Sequence, residues 1–282
     1  MRRIRIAASL LLLLTLSAVP EMAQTSAPHR EPSMGDPEWA KAKLAQSPRH
    51  GEWITVKHDS RSVQAFVVYP EVKKKAPVVI VIHEIFGMTD WARDIADQLA
   101  AHGYIAIAPD LLSGMGPNGG RSDSFPSGDA AREANSKLPP DQVMADLNAV
   151  ADYAKKLPAS NGKLAVSGFC WGGGMSFQFA TVRKDLGAAF VFYGPPPPSG
   201  ALANITAPVY GFYAGNDARI DATIPDTEKA MKAAGKKYEP VVYEGAGHGF
   251  MRAGEDPQAS GPNKKAHDDG WQRWLKLLKS LE

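Results

Sequence analysis

The apolar positions change their rhythm repeatedly along this chain. EWITVKH (52–58) and VQAFVVY (63–69) alternate with period two around the polar DSRS, which predicts a β-hairpin. APVVIVIHE follows as an unbroken, β-branched apolar run, the pattern of a strand buried on both faces of a parallel sheet. In TDWARDIADQLAAHG the period lengthens: Trp91, Ile95 and Leu99 lie four apart and Gly103 closes the segment, so a helix is expected. The alternation then repeats. YIAIAPD (104–110) reads as a strand and 141–158 as a helix. KLAVSG is a strand, 171–184 a helix, AAFVFYG and APVYGFYAG two strands, and TEKAMKAAG a helix. EPVVYEG is the last strand before the amphipathic KKAHDDGWQRWLKLLKSL. Strands alternating with helices define an α/β domain: a mostly parallel sheet covered on both faces, with the hairpin as its antiparallel edge. Residues 111–140, rich in Gly, Pro and Ser, interrupt the rhythm after a strand's C-terminal end and are read as a flap over a site.

The ends alter this picture. MRRIRIAASLLLLLTLSAVPEMAQ has a basic start, an apolar run and a small-residue exit, the layout of a secretory signal over residues 1–24. The apolar run is too short for a comfortable membrane span, and Ala23 and Ala27 are rival cleavage points. An exported, periplasmic or secreted protein is expected, with no stable span in its mature form. Residues 25–50 are polar, carry no identifiable chemistry, and read as a tail that docks on the domain of residues 51–282. The formal charge of +2 falls to zero once 1–24 are removed, and the basic residues form no stripe, so nucleic acid is not an expected partner. Apolar residues make up 44% of the chain, enough for one packed domain. A monomer is expected.

Chemistry concentrates at Gly168-Phe169-Cys170-Trp171-Gly172, which holds the chain's one cysteine. This is G-x-S-x-G with Cys in place of Ser, set between a strand and a small-residue helix. A tight turn of that kind lifts the nucleophile to a helix N-terminus, where a thiolate is favoured. The competing reading, a buried cysteine packed as a small apolar residue, needs no such frame. The motif calls for an acid and then a histidine, each after a later strand. Asp217 follows VYGFYAGN and His248 lies in EGAGHGF; Asp221 and Asp226 are rivals to Asp217, but stand further from the strand end. His248 would move the thiol proton, and Asp217 would fix its tautomer. The oxyanion would be held by the backbone N–H groups of Trp171 and Ile85. Glu84 ends a wholly apolar strand, a costly place for a carboxylate unless it is used or paired. HExxH fails at Gly87, so neither zinc nor another cofactor is expected.

In VYPEVKKKAPVVIVIHEIFG, GYIAIAPDLL, NGKLAVSGFCWGGG and YEGAGHGFMR the sequence resembles the dienelactone hydrolases (carboxymethylenebutenolidases), over roughly residues 51–280. The resemblance implies an α/β-hydrolase fold, a small ester or lactone substrate, and a nucleophile, acid and base at Cys170, Asp217 and His248. Glu84 would contact the thiol and accept its proton as substrate arrives, leaving the resting thiol protonated and shielded from oxidation. In that family two arginines and a serine bind the substrate carboxylate. Here Arg252 fits one arginine, Arg121 is a loose match for the other, and Gly249 replaces the serine. Phe86, Trp171 and Tyr193 are expected to line the pocket. Acyl transfer, or thioester or peptide hydrolysis, would use the same fold, and a catalytically weak binder of small carbonyl compounds is a third reading. A binder, however, needs no triad.

Overall fold

The computed structural model describes residues 36–282; the expected export signal and residues 25–35 of the tail lie outside the described residues. The strands are β1 (Gly51–His58), β2 (Arg61–Val68), β3 (Ala76–Ile82) and β4 (Ile105–Asp110), then β5 (Ser160–Phe169), β6 (Ala188–Phe192), β7 (Val209–Ala214) and β8 (Tyr238–Tyr243). Among the described residues they form one eight-stranded sheet in the order β1-β2-β4-β3-β5-β6-β7-β8. β1 and β2 pair antiparallel, β2 pairs antiparallel with β4, and every pairing from β4 to β8 is parallel.

The helices are α1 (Glu38–Gln46), α2 (Asp90–Ala101), α3 (Gly128–Ser136), α4 (Pro140–Lys155) and α5 (Trp171–Val182), then α6 (Ala218–Asp221), α7 (Ile224–Ala233), α8 (Phe250–Ala253) and α9 (Gly261–Leu278). Period two in β3 sends Val78, Ile80 and Ile82 to one face, where Val143, Leu147 and Val150 of α4, Phe177 of α5 and Met231 of α7 join them. Val79 and Val81 go to the other face, against Trp91, Ile95 and Leu99 of α2 and Trp274 and Leu278 of α9. All seven residues of β3 are buried, which is why its sequence shows no polar alternation. Thr89 caps α2 by accepting the Ala92 N–H at 3.2 Å.

Two segments carry helices where the sequence showed no period. In the expected tail, α1 lies on α2, with Ala40 buried, Lys43 paired to Glu255 at 2.8 Å, and Ser47 and Arg49 bonded to Asp97. In the expected flap, residues 111–140 form short 3₁₀ turns and α3, and Ser122 is fully buried. No helix among the described residues is long and apolar enough to cross a membrane.

Candidate active site

The parallel strands deliver their loops to one edge of the sheet. Glu84 follows β3, Cys170 follows β5, Tyr193 follows β6, Asp217 follows β7 and His248 follows β8. Ligands of open α/β sheets bind at this edge.

Cys170 sits at the junction of β5 and α5 with φ 57° and ψ −119°, in the left-handed half of the map that non-glycine residues avoid. Two hydrogen bonds hold it there: its N–H donates to Phe192 O at 3.0 Å, and its carbonyl accepts from Gly174 N at 3.2 Å. The flanking glycines are a packing necessity. A Cβ on Gly168 would lie 1.9 Å from Gly172 O, and one on Gly172 would lie 2.3 Å from His83 O. The N–H groups of Trp171 and Ile85 both face the thiol sulfur. Burial, then the negative charge of Glu84, nevertheless push the thiol up to about 11, so Cys170 rests protonated at neutral pH.

His248 Nδ1 lies 2.5 Å from Asp217 Oδ2. The ring is a third exposed (34%), while the Asp217 side chain is nearly buried. Asp221, the first rival acid, lies one turn further along at the end of α6, and Asp226 is exposed on α7. Tyr193 packs edge-to-face on His248, with ring centroids 5.0 Å apart, and also against Phe250.

Glu84 is buried and paired. Arg252 Nε donates to its Oε2 at 2.8 Å, which answers the cost of a carboxylate at the end of an apolar strand. Arg252 is therefore beside the thiol's carboxylate neighbour, on α8, four residues beyond His248. Between them Gly249 adopts φ 81°, a conformation a serine would hold only under strain. That is a physical reason for glycine where the resemblance led to a serine.

Two expected pocket residues stand differently. Arg121 donates through Nη1 to Gln64 Oε1 at 2.8 Å, pairs with Asp123, and lies 3.6 Å over the Trp53 ring. A planar guanidinium is well held by that indole face and amide, and these partners hold it at the β1–β2 edge. Tyr193 is fully buried, so it supports His248 and presents no face to a substrate. Ile85, Phe86 and Trp171 are half-buried at the site, and Trp171 stacks on His83 with centroids 5.6 Å apart. Sequence reasoning missed Arg219, an exposed cation on α6 whose charge reaches Cys170 and favours its thiolate. Its place two residues beyond Asp217 was the available signal.

This is the α/β-hydrolase fold, with its candidate chemistry where that fold gathers loops. A model of the dienelactone hydrolase family matches residues 63–281, and the chain belongs to that family. It is 38% identical over 212 residues to a provisionally named carboxymethylenebutenolidase of Salmonella typhi, covering 71% of this chain and 75% of the relative. A similarly named protein of Saccharolobus solfataricus is 32% identical over 253 residues, covering 79% of this chain and 96% of that one. Among solved structures, a provisionally named dienelactone hydrolase from Klebsiella pneumoniae is similar at TM-score 0.72 and 30% identity. It covers 82% of this chain and 98% of its own. The protein is a hydrolase with a small-molecule substrate.

Proposed function

We propose that the protein cleaves an ester or lactone through a thioester on Cys170, with His248 and Asp217 completing the triad. The observation that carries this reading is the elbow: a lone cysteine at φ 57°, its sulfur facing the Ile85 and Trp171 N–H groups. In the reaction, the thiol gives up its proton and the thiolate attacks the carbonyl carbon. The two N–H groups receive the oxyanion. Collapse breaks the C–O bond, and the leaving alkoxide receives the proton that left the thiol, delivered by His248 as its imidazolium. His248 then takes a proton from water as that water attacks the thioester carbon, the C–S bond breaks, and His248 gives this proton to the departing sulfur to return the thiol. Asp217 holds the Nδ1–H tautomer, leaving Nε2 for these transfers.

Glu84 is assigned the first acceptance of the thiol proton, which it passes on to His248 for delivery to the leaving alkoxide. A substrate carboxylate that pairs with Arg252 competes with Glu84 for the guanidinium, and a less tightly paired Glu84 is a better base toward the thiol. The export signal read over residues 1–24 would place this chemistry outside the cytoplasm, where a protonated resting thiol resists oxidation. The test is hydrolysis of a short aryl ester, an unsaturated γ-lactone bearing a carboxylate, and the same lactone without it, by wild type and Cys170→Ala. Turnover lost in the variant and preferring the carboxylated lactone is the expected result. Turnover that survives in Cys170→Ala removes the nucleophile from this reading.

A further inference from the structure

The turn from Glu84 to Met88 carries two groups the proposed reaction needs, the Glu84 carboxylate and the Ile85 N–H. Within itself the turn has one backbone hydrogen bond, Gly87 N to Glu84 O at 3.2 Å. Its other anchors are His83, just before it, and the segment that follows β4, and they are polar groups buried where apolar ones would pack.

Asp110, the last residue of β4, is fully buried. Its Oδ1 accepts from Leu112 N at 3.1 Å and from Ser122 Oγ at 2.6 Å, and its Oδ2 accepts from Ser122 N at 2.9 Å. The Ser122 hydroxyl, having donated to Asp110, accepts the Met88 N–H at 2.9 Å. Asp110 thus fixes the direction of that hydroxyl, and the hydroxyl fixes the far end of the turn. The fit is close: a Cβ on Gly87 would lie 2.3 Å from Ser122 Oγ.

His83 holds the near end. Its Nδ1 lies 2.7 Å from Glu84 O, which only accepts, and its Nε2 lies 3.3 Å from Leu111 N, which only donates. The partners therefore set the Nδ1–H tautomer. Burial lowers the tendency of His83 to protonate, which keeps it a neutral donor and acceptor. Its ring also backs the indole of Trp171, the residue that supplies the other N–H facing the sulfur. A buried carboxylate, hydroxyl and imidazole each carry a desolvation cost that a simple turn does not require. What they add is direction.

We propose that His83, Asp110 and Ser122 are positioning residues, which hold the Glu84–Met88 turn so that the Ile85 N–H and the Glu84 carboxylate face Cys170 before substrate arrives. The proposal rests on the reading of Cys170 as nucleophile and Ile85 as oxyanion donor. It explains why the segment after β4 crosses over the turn after β3: the crossing brings Ser122 to Met88.

Because Cys170 is the only cysteine and is shielded in the fold, the slowly reacting fraction in a thiol titration counts folded sites, an unfolded chain's thiol reacting at once, and this separates misfolding from misplacement. Ser122→Ala and His83→Leu should lower kcat per folded thiol by about tenfold or more with KM within about twofold, since small displacements of catalytic groups cost rate more than binding. His83→Gln, which keeps one donor and one acceptor, should recover most of the loss seen in His83→Leu. A role confined to stability would lower the slowly reacting, folded fraction of the thiol and the melting temperature but leave kcat per folded thiol unchanged. With Cys170→Ala inactive, the proposal is overturned if Ser122→Ala and His83→Leu both keep wild-type kcat per folded thiol. It is equally overturned if Leu and Gln at position 83 lose the same amount, a comparison that stands even where Ser122→Ala fails to fold. Full turnover in Cys170→Ala would instead sink the underlying reading.

Discussion

Among the described residues two histidine–aspartate pairs stand near one thiol, and they are built for opposite ends. His248 and Asp217 touch directly, on loops after adjacent parallel strands, with the ring a third exposed. His83 and Asp110 are both fully buried, within electrostatic reach of each other, and each spends its hydrogen bonds on other groups. An imidazole with both nitrogens committed to backbone groups in a dry site has no vacancy for a proton in flight. One with a single nitrogen committed to a carboxylate, at an open edge, does. Residue type alone does not separate a proton carrier from a strut; saturation and burial do.

The largest expected effect tests that division. His248→Ala should lower kcat by roughly 10³-fold or more, and Asp217→Asn by about 10²- to 10⁴-fold through loss of the correct tautomer. Steady-state rates on the fastest ester of the panel would measure both. His83→Leu should stand well short of His248→Ala. Equal losses at the two histidines would mean that His83 also handles a proton, and the contrast between the pairs would fail.

Much of this is legible in the sequence. The unbroken APVVIVI run predicts a doubly covered strand because both faces of β3 are in fact apolar. The glycines around Cys170 announce a turn because backbone atoms fill the space their side chains would need. Less legible is everything held by polar contacts across the chain. The helix α1 buries one residue, Ala40, and is tied down by the Lys43–Glu255 pair and, just past its end, by Arg49–Asp97, so it leaves no hydrophobic period to read. Arg121 looks like a substrate ligand from its place after PDLL; its real partners, Trp53 and Gln64, lie on strands that read only as a hairpin. Ser122 looks like loop composition, since its meaning depends on a crossing over Met88 that sequence distance hides.

Glu84 sharpens the comparison because it acts on the thiol by charge at rest and, in the proposed reaction, by proton transfer. Its negative charge is one cause of the thiol's rise to about 11, after burial. Glu84→Gln removes that charge and leaves the Arg252 cation near the sulfur, and both changes favour thiolate. The alkylation profile with iodoacetamide should move to lower pH. The rate at pH 8 should rise by about threefold or more, since the thiolate fraction there grows about tenfold for every pH unit by which the thiol's titration falls. Turnover should move the other way, because the proton acceptor is gone. A variant that alkylates faster and also turns over faster would leave Glu84 as a shield only.

The smallest expected effect concerns another buried acid, away from the thiol. Asp94 on α2 is almost wholly buried beside Glu255, with Lys43 of α1 3.9 Å from its Oδ2. Burial, then the charge of Glu255, raise its carboxyl to about 8. Since the unfolded value is near 3.8, the folded chain holds this proton between roughly pH 4 and 8 while the unfolded chain has released it. Stability from this group is therefore greatest below about pH 4 and declines as pH rises through that window. Asp94→Asn keeps a donor for Glu255 and an acceptor for Gln98 but has no proton to lose. It should raise the melting temperature at pH 8.5 by a few degrees, on the scale of about 2–4 °C per kcal/mol for a domain of this size. The gain should shrink toward pH 4 and leave kcat unchanged. A gain constant with pH would mean that Asp94 stays ionised against Lys43, and that burial at this site, unlike at His83 and Asp110, is relieved by its cation.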